Sequence, residues 1–238
     1  MIVESMTYNE MNNAAIREFD SLKPVMERFG NEYDRLRKKL KIKPENEYSK
    51  CYHYKSKSHN EWIFIFSKAQ SAAKYKGLAQ LSFTSLIVYN TELGKRVIKI
   101  GAGVDVATTT GCYLYNPHLF SRYAERMNLD ISKPIETIKH FFINNSYTKG
   151  QIIPKEGREY AINVCKDGFI LGEIAPERVM CINKTFITRN EAKTDQMDLE
   201  SHLINSLQKE IEELLNESDF DKHKYQLHAD VATALSKK

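Results

Sequence analysis

A chain of 238 residues with 42% apolar and 28% charged side chains has the make-up of a packed protein, which excludes global disorder and a disulfide-stapled miniprotein. Its net charge of +4 is too small to name a nucleic-acid partner, but the charge is unevenly spread. From Arg35 to Lys57 there are nine basic and two acidic residues, and from Arg189 to Lys238 seven basic and eleven acidic. No eighteen consecutive residues are apolar, so no membrane-spanning helix is expected. Met1 to Asn12 has neither the basic flank nor the apolar run of a signal peptide.

The first predicted element is a helix opened by Thr7-Tyr8-Asn9-Glu10, a capping-box sequence. Apolar residues then recur at helical spacing from Ile16 to Leu40, with Pro24 marking a kink or break, and the basic run Lys38 to Lys43 ends at Pro44. A β-rich stretch follows. Cys51 to Lys57 and Glu61 to Lys68 read as a hairpin, and the continuous run Trp62-Ile63-Phe64-Ile65-Phe66 predicts a strand buried on both faces. Ala69 to Tyr75 has the pattern of a short helix. Leu81 to Tyr89 and Lys95 to Ile100 form a second strand pair. Gly101-Ala102-Gly103 superficially suggests a dinucleotide turn, but the β-branched residues after it are a poor helix start, so a turn between strands is expected.

Asn116-Pro117 then starts a helix reaching about Asn128, and a second runs from about Pro134 to Asn145. Strands are expected at Glu159 to Cys165, Phe169 to Ile174, Val179 to Ile182 and Thr185 to Thr188, with Asp167-Gly168 as a hairpin turn. Leu199, Leu203, Ile204, Leu207, Ile211, Leu214 and Leu215 draw an apolar stripe on an acidic tail, and a last helix is expected beyond Ser218. The fold class is α+β: N-terminal helices, a central antiparallel β region, two helices followed by an antiparallel sheet, and C-terminal amphipathic helices. Boundaries fall at 1–44, 45–111, 112–189 and 190–238, with 45–189 also compatible with a single core.

Chemistry is concentrated in Pro117 to Met127. On a helix His118, Arg122 and Arg126 stack four residues apart on one face, while Leu119, Tyr123 and Met127 form the packing row. An imidazole beside guanidiniums suits a phosphodiester, because Arg holds phosphate by paired hydrogen bonds and His moves a proton near neutrality. A salt-bridged surface face involving Glu125 has the same spacing.

With the H-x-x-x-R-x-x-E-R pattern at His118, Arg122, Glu125 and Arg126, Gly157-Arg158-Glu159-Tyr160 at a first strand and Lys184-Thr185-Phe186-Ile187-Thr188 at the sheet's end, the segment from about Tyr115 to Arg189 resembles the RelE-like ribonuclease-toxin superfamily. Its members are small and stand alone, whereas here long segments flank the matching region. The resemblance implies metal-independent RNA cleavage. It makes His118 an acid or base, Arg122, Arg126 and Arg158 phosphate ligands, and Tyr160 and Lys184 auxiliary contacts.

Tyr48, Tyr52 and Tyr54 interleave with lysines in the basic arm, so Lys38, Lys39 and Lys41 are candidate contacts to RNA or single-stranded nucleic acid. A solvated helix end is the competing account of that arm. Cys51, Cys112, Cys165 and Cys181 lie far apart, and Cys51 with His53 and His59 lacks a fourth ligand. No metal or other cofactor is therefore expected, and a reducing cytoplasm is.

Two functions remain open. One is an RNA-cleaving or RNA-binding protein of the toxin–antitoxin type. The other is a non-catalytic interaction protein of a phage or mobile element, which binds a host factor or nucleic acid with the same unit as scaffold. The helix at 196–216 is the candidate surface for a protein partner or self-association, and the tail is also a candidate internal shield over the basic region.

Overall fold

The computed structural model describes residues 1–22, 24–25, 29, 35, 48–68, 81–102 and 110–216. Helix α1 (Tyr8–Ser21) begins with the expected capping box: the Thr7 backbone N–H donates to Glu10 Oε2 at 2.8 Å, and the Glu10 backbone N–H donates to Thr7 Oγ1 at 3.3 Å. Met11, Ala15 and Glu18, at helical spacing, are the positions it buries, and the Glu18 carboxylate accepts a hydrogen bond from the Asn60 side chain.

Among the described residues nine strands follow: β1 (Ser49–Lys55), β2 (Glu61–Lys68), β3 (Leu81–Thr91), β4 (Gly94–Ala102), β5 (Thr110–Tyr115), β6 (Lys149–Lys155), β7 (Arg158–Cys165), β8 (Gly168–Ile174) and β9 (Met180–Ile187). Between β5 and β6 lie α2 (Pro117–Arg126) and α3 (Pro134–Asn144), and after β9 comes α4 (Thr194–Asn216). All nine strands form one sheet in the order β1-β2-β3-β4-β5-β9-β8-β7-β6. The expected antiparallel sheet is in fact mixed, because β5 and β9 pair in parallel, Cys112 to Tyr115 against Met180 to Asn183. The cause is topological. Two helices carry the chain away from β5, and the β6–β9 meander then brings β9 back alongside it in the same direction.

Each sheet face has its own helices. Trp62, Phe64, Ile87, Ile98, Leu114 and Ile182 point to the face covered by α1, where the Trp62 and Phe64 rings stack at 5.6 Å. Ile63, Ile65, Leu86, Val97 and Phe186 point to the other face, under Leu119, Phe120 and Tyr123 of α2 and Ile138, Phe141 and Phe142 of α3. The strand at Trp62–Phe66 is thus buried on both faces, as its unbroken apolar run requires. Each such side chain contributes roughly 1.5–3 kcal/mol of burial free energy. Toward the β6 end, Leu203 of α4 closes on Val164 and Phe169, on the same face as α1. The start of the acidic tail therefore completes a core.

Several boundaries differ from expectation for identifiable reasons. α2 stops at Arg126 because Asn128 turns into the left-handed region (φ 53°), which Asn tolerates. The two short strands expected after Val179 are one strand carrying a bulge. Leu171 pairs with Thr185 and Gly172 with Asn183, leaving Lys184 unpaired between them. β6 has no alternating pattern to reveal it. It is a largely exposed edge strand, the position where Pro154 is tolerated. The helix expected at 69–75, and the one beyond 218, lie outside the described residues. Gly101 and Ala102 belong to β4, which pairs antiparallel with the next strand, β5, as the turn-between-strands reading requires. No described helix is long and apolar enough to cross a membrane.

Candidate functional site

α2 starts where Asn116 leaves β5 and Pro117 supplies the first helical φ. Its packing row, Leu119, Tyr123 and the neighbouring Phe120 and Ala124, is buried, which turns the other side outward. His118 on that side is exposed. Arg122, one turn on, donates from Nη1 to Glu125 Oε2 at 2.8 Å in a pair whose members both lie well into solvent.

Arg126 has a different environment. Its Nε and Nη2 grip the two carboxylate oxygens of Glu191 at 2.6 and 2.7 Å, and its Nη1 donates to the Phe186 carbonyl. The same carboxylate accepts the Thr188 backbone N–H at 2.9 Å and the Thr188 hydroxyl at 2.8 Å. With four donors converging on it, the hydrogen bond from Arg126 foremost, the Glu191 carboxyl is held down at about 2. Arg126 thus ties α2 to the segment that leads into α4.

The strand candidates lie elsewhere. Val164 and Phe169 face α4, so alternation along β7 puts Tyr160 and Arg158 on that face too, with the sheet between them and α2. Tyr160 is exposed at the β6 end. Lys184, the bulge residue, reaches Glu173 at 2.6 Å, and Glu173 stands opposite Tyr160 in the register. His118, Arg122 and Arg126 therefore share one helix, while Arg158, Tyr160 and Lys184 belong to the opposite layer. Lys38, Lys39 and Lys41 lie outside the described residues.

A second constellation was not visible in the sequence. The Tyr123 hydroxyl lies 2.7 Å from Asp167 Oδ2 and 3.0 Å from His140 Nδ1. Asn145, at the end of α3, donates from Nδ2 to the same Asp167 oxygen at 2.8 Å and accepts the Asp167 backbone N–H at 3.0 Å. Tyr123 has one proton to give, and a carboxylate is the stronger acceptor. In the neutral imidazole His140 Nδ1 then donates to the phenol oxygen, which leaves Nε2 as the acceptor nitrogen of that tautomer. Burial, reinforced by Asp167, drives the Tyr123 phenol far above its usual range, so it stays protonated. These residues lie 17 to 44 positions from Tyr123, and each has an ordinary local explanation: a packing row, a helix end, a D-G turn.

Beside His140 opens a cleft of about 460 Å³ lined by Cys51, Leu129, Asp130, Lys133, Glu136, Thr137, Lys139, His140 and Ile143. Its charges are matched locally, Lys133 with Asp130 at 3.2 Å and Lys139 with Glu136 at 2.9 Å. Desolvation pushes the Cys51 thiol upward, so near neutral pH it is a neutral wall rather than a thiolate. Among the described residues no cluster of three or more His, Cys, Asp or Glu side chains suits a metal ion.

Comparison with known proteins gives no match: no family model, no curated protein and no solved structure is similar to this chain.

Proposed function

We propose that this chain acts on RNA through the outer face of α2, as a metal-independent RNA-cleaving or RNA-binding protein of RelE-like type. The observation that carries the reading is the exposed His118 and the half-exposed Arg122, one helical turn apart, with Arg122 held among the described residues by a solvent-exposed carboxylate. Such a pair is worth about 0–1 kcal/mol, little enough for a phosphate to take the guanidinium from Glu125. In that reading His118 removes the proton of a ribose 2′-hydroxyl. The 2′-oxygen attacks the adjacent phosphorus in line, the bond to the 5′-oxygen breaks, and that oxygen takes up a proton. Arg122 stabilises the charge that builds on the phosphate oxygens. Two helices followed by the β6–β9 meander also give the element order that the resemblance implies.

A second reading, a non-catalytic interaction protein of phage or mobile-element type, is favoured by Arg126. Its fork is already filled by Glu191, and the sheet separates it from Arg158, Tyr160 and Lys184. One experiment separates the readings: purified protein with EDTA is incubated with a mixed RNA and a single-stranded DNA. Cleavage restricted to RNA is expected, abolished in His118→Ala and slowed about 10²–10³-fold in Arg122→Ala. Full activity in Arg122→Ala rules out the mechanism, and binding without cleavage supports the second reading.

A further inference from the structure

The cleft beside α3 is built around a histidine that the α2 face does not use. Its volume of about 460 Å³ lies in the range of small-molecule sites, roughly 300–1,000 Å³. Leu129 and Ile143 give it apolar walls, and His140 is fixed in one tautomer by the chain His140 Nδ1–H to Tyr123 oxygen, Tyr123 O–H to Asp167. That leaves Nε2, the nitrogen on the ring edge away from Tyr123, as an acceptor with no partner among the described residues. The carboxylates at the rim are engaged by Lys133 and Lys139, so a free cation finds little there. Lys133, with its side chain two-thirds exposed, can exchange Asp130 for an external anion at small cost. An apolar slot, one oriented acceptor and one exchangeable cation at the mouth match a flat heterocycle that carries N–H donors and a phosphate.

We infer that this cleft is a subsite for one nucleotide unit. The base lies between Leu129 and Ile143 and donates an N–H to His140 Nε2, and the phosphate is drawn to Lys133. Two sources share that chemistry, a free nucleoside monophosphate and a residue within an RNA. Only the second rests on the functional reading above.

The test measures binding of the four ribonucleoside 5′-monophosphates, inorganic phosphate and a single-stranded oligoribonucleotide to the full chain. Calorimetry gives the affinity, and imidazole ¹⁵N chemical shifts report on His140. A shift of the His140 Nε2 resonance with a nucleotide or the oligonucleotide, and none with inorganic phosphate, is expected. His140→Gln should weaken the binding at least tenfold. Ile143→Trp, which fills the cleft and leaves the relay intact, should abolish it, with thermal melts confirming that both variants are folded. A shift with mononucleotides identifies a free-nucleotide site, and a shift with the oligonucleotide alone identifies an RNA subsite. An unmoved His140 resonance, or unchanged affinity in Ile143→Trp, overturns the inference. Failure of the two ideas is distinguishable: RNA cleavage with an unmoved His140 leaves the α2 reading standing, and nucleotide binding without cleavage leaves the cleft standing.

Discussion

The two polar constellations on the α2–α3 layer differ in how their partners are recruited. On the outer face of α2, Arg122 takes its partner from the same helix, three residues away, and both groups remain in water. Beneath it, the buried Tyr123 takes part-buried partners from α3 and from the β7–β8 turn. Water competes fully for the first set and only in part for the second, whose central Tyr123 is buried, so the first is the more adaptable and the second the more fixed part of the fold. Chemistry that requires yielding to a ligand belongs to the exposed set, and orientation of a single tautomer belongs to the buried one.

Substitutions test that contrast directly. Tyr123→Ala removes both the ring packed at 5.0–5.1 Å from Phe141 and Phe186 and the hydroxyl, and should cost about 3–5 kcal/mol in denaturant unfolding. Tyr123→Phe keeps the ring and strands the His140 and Asp167 groups, for about 1–3 kcal/mol. A cost near zero for Tyr123→Phe would mean that the relay carries no structural weight.

Glu191→Gln should have a smaller effect, under about 1 kcal/mol because the carboxylate lies close to solvent, but one with a pH signature. The folded-state pKa is lowered from 4.5 to about 2, so the contribution is present in full above the unfolded value and is lost as pH falls from 4.5 toward 2. The gap between wild type and Glu191→Gln should therefore be constant above about pH 5 and close on acidification, as read by urea midpoints. The smallest effect is expected for Glu125→Ala, within about 0.5 kcal/mol. A larger loss would place the Arg122 pair with the buried set.

What was legible in the sequence follows the range of the interactions. Two-sided burial of Trp62–Phe66, the Asn116-Pro117 helix start, the Thr7–Glu10 cap and the Asp167-Gly168 turn are decided by neighbours within a few residues, and all are present. The exposed edge strand β6 and the bulge at Lys184 carry no such local signal, because an edge strand need not alternate and a bulge is defined by its partner strand. At the candidate site, spacing correctly put His118, Arg122 and Arg126 on one helix. It had no means of assigning Glu191, 65 residues away, to Arg126, or of seeing that strand parity sends Tyr160 and Arg158 to the opposite layer. His140 was invisible for the same reason: its partners meet only after two helices and a hairpin have docked.

The parallel pairing of β5 with β9 has a kinetic consequence. Every other strand neighbour in the sheet is also its neighbour in sequence, so β1–β5 and β6–β9 can each zip by successive local reversals. The join between Cys112–Tyr115 and Met180–Asn183 must wait for α2, α3 and the whole second meander, and it carries the greatest loop-closure cost in the sheet. The molecule is therefore two locally assembled half-sheets sealed along one late seam. Amide protons along that seam should become protected from exchange last during refolding, after those within either half.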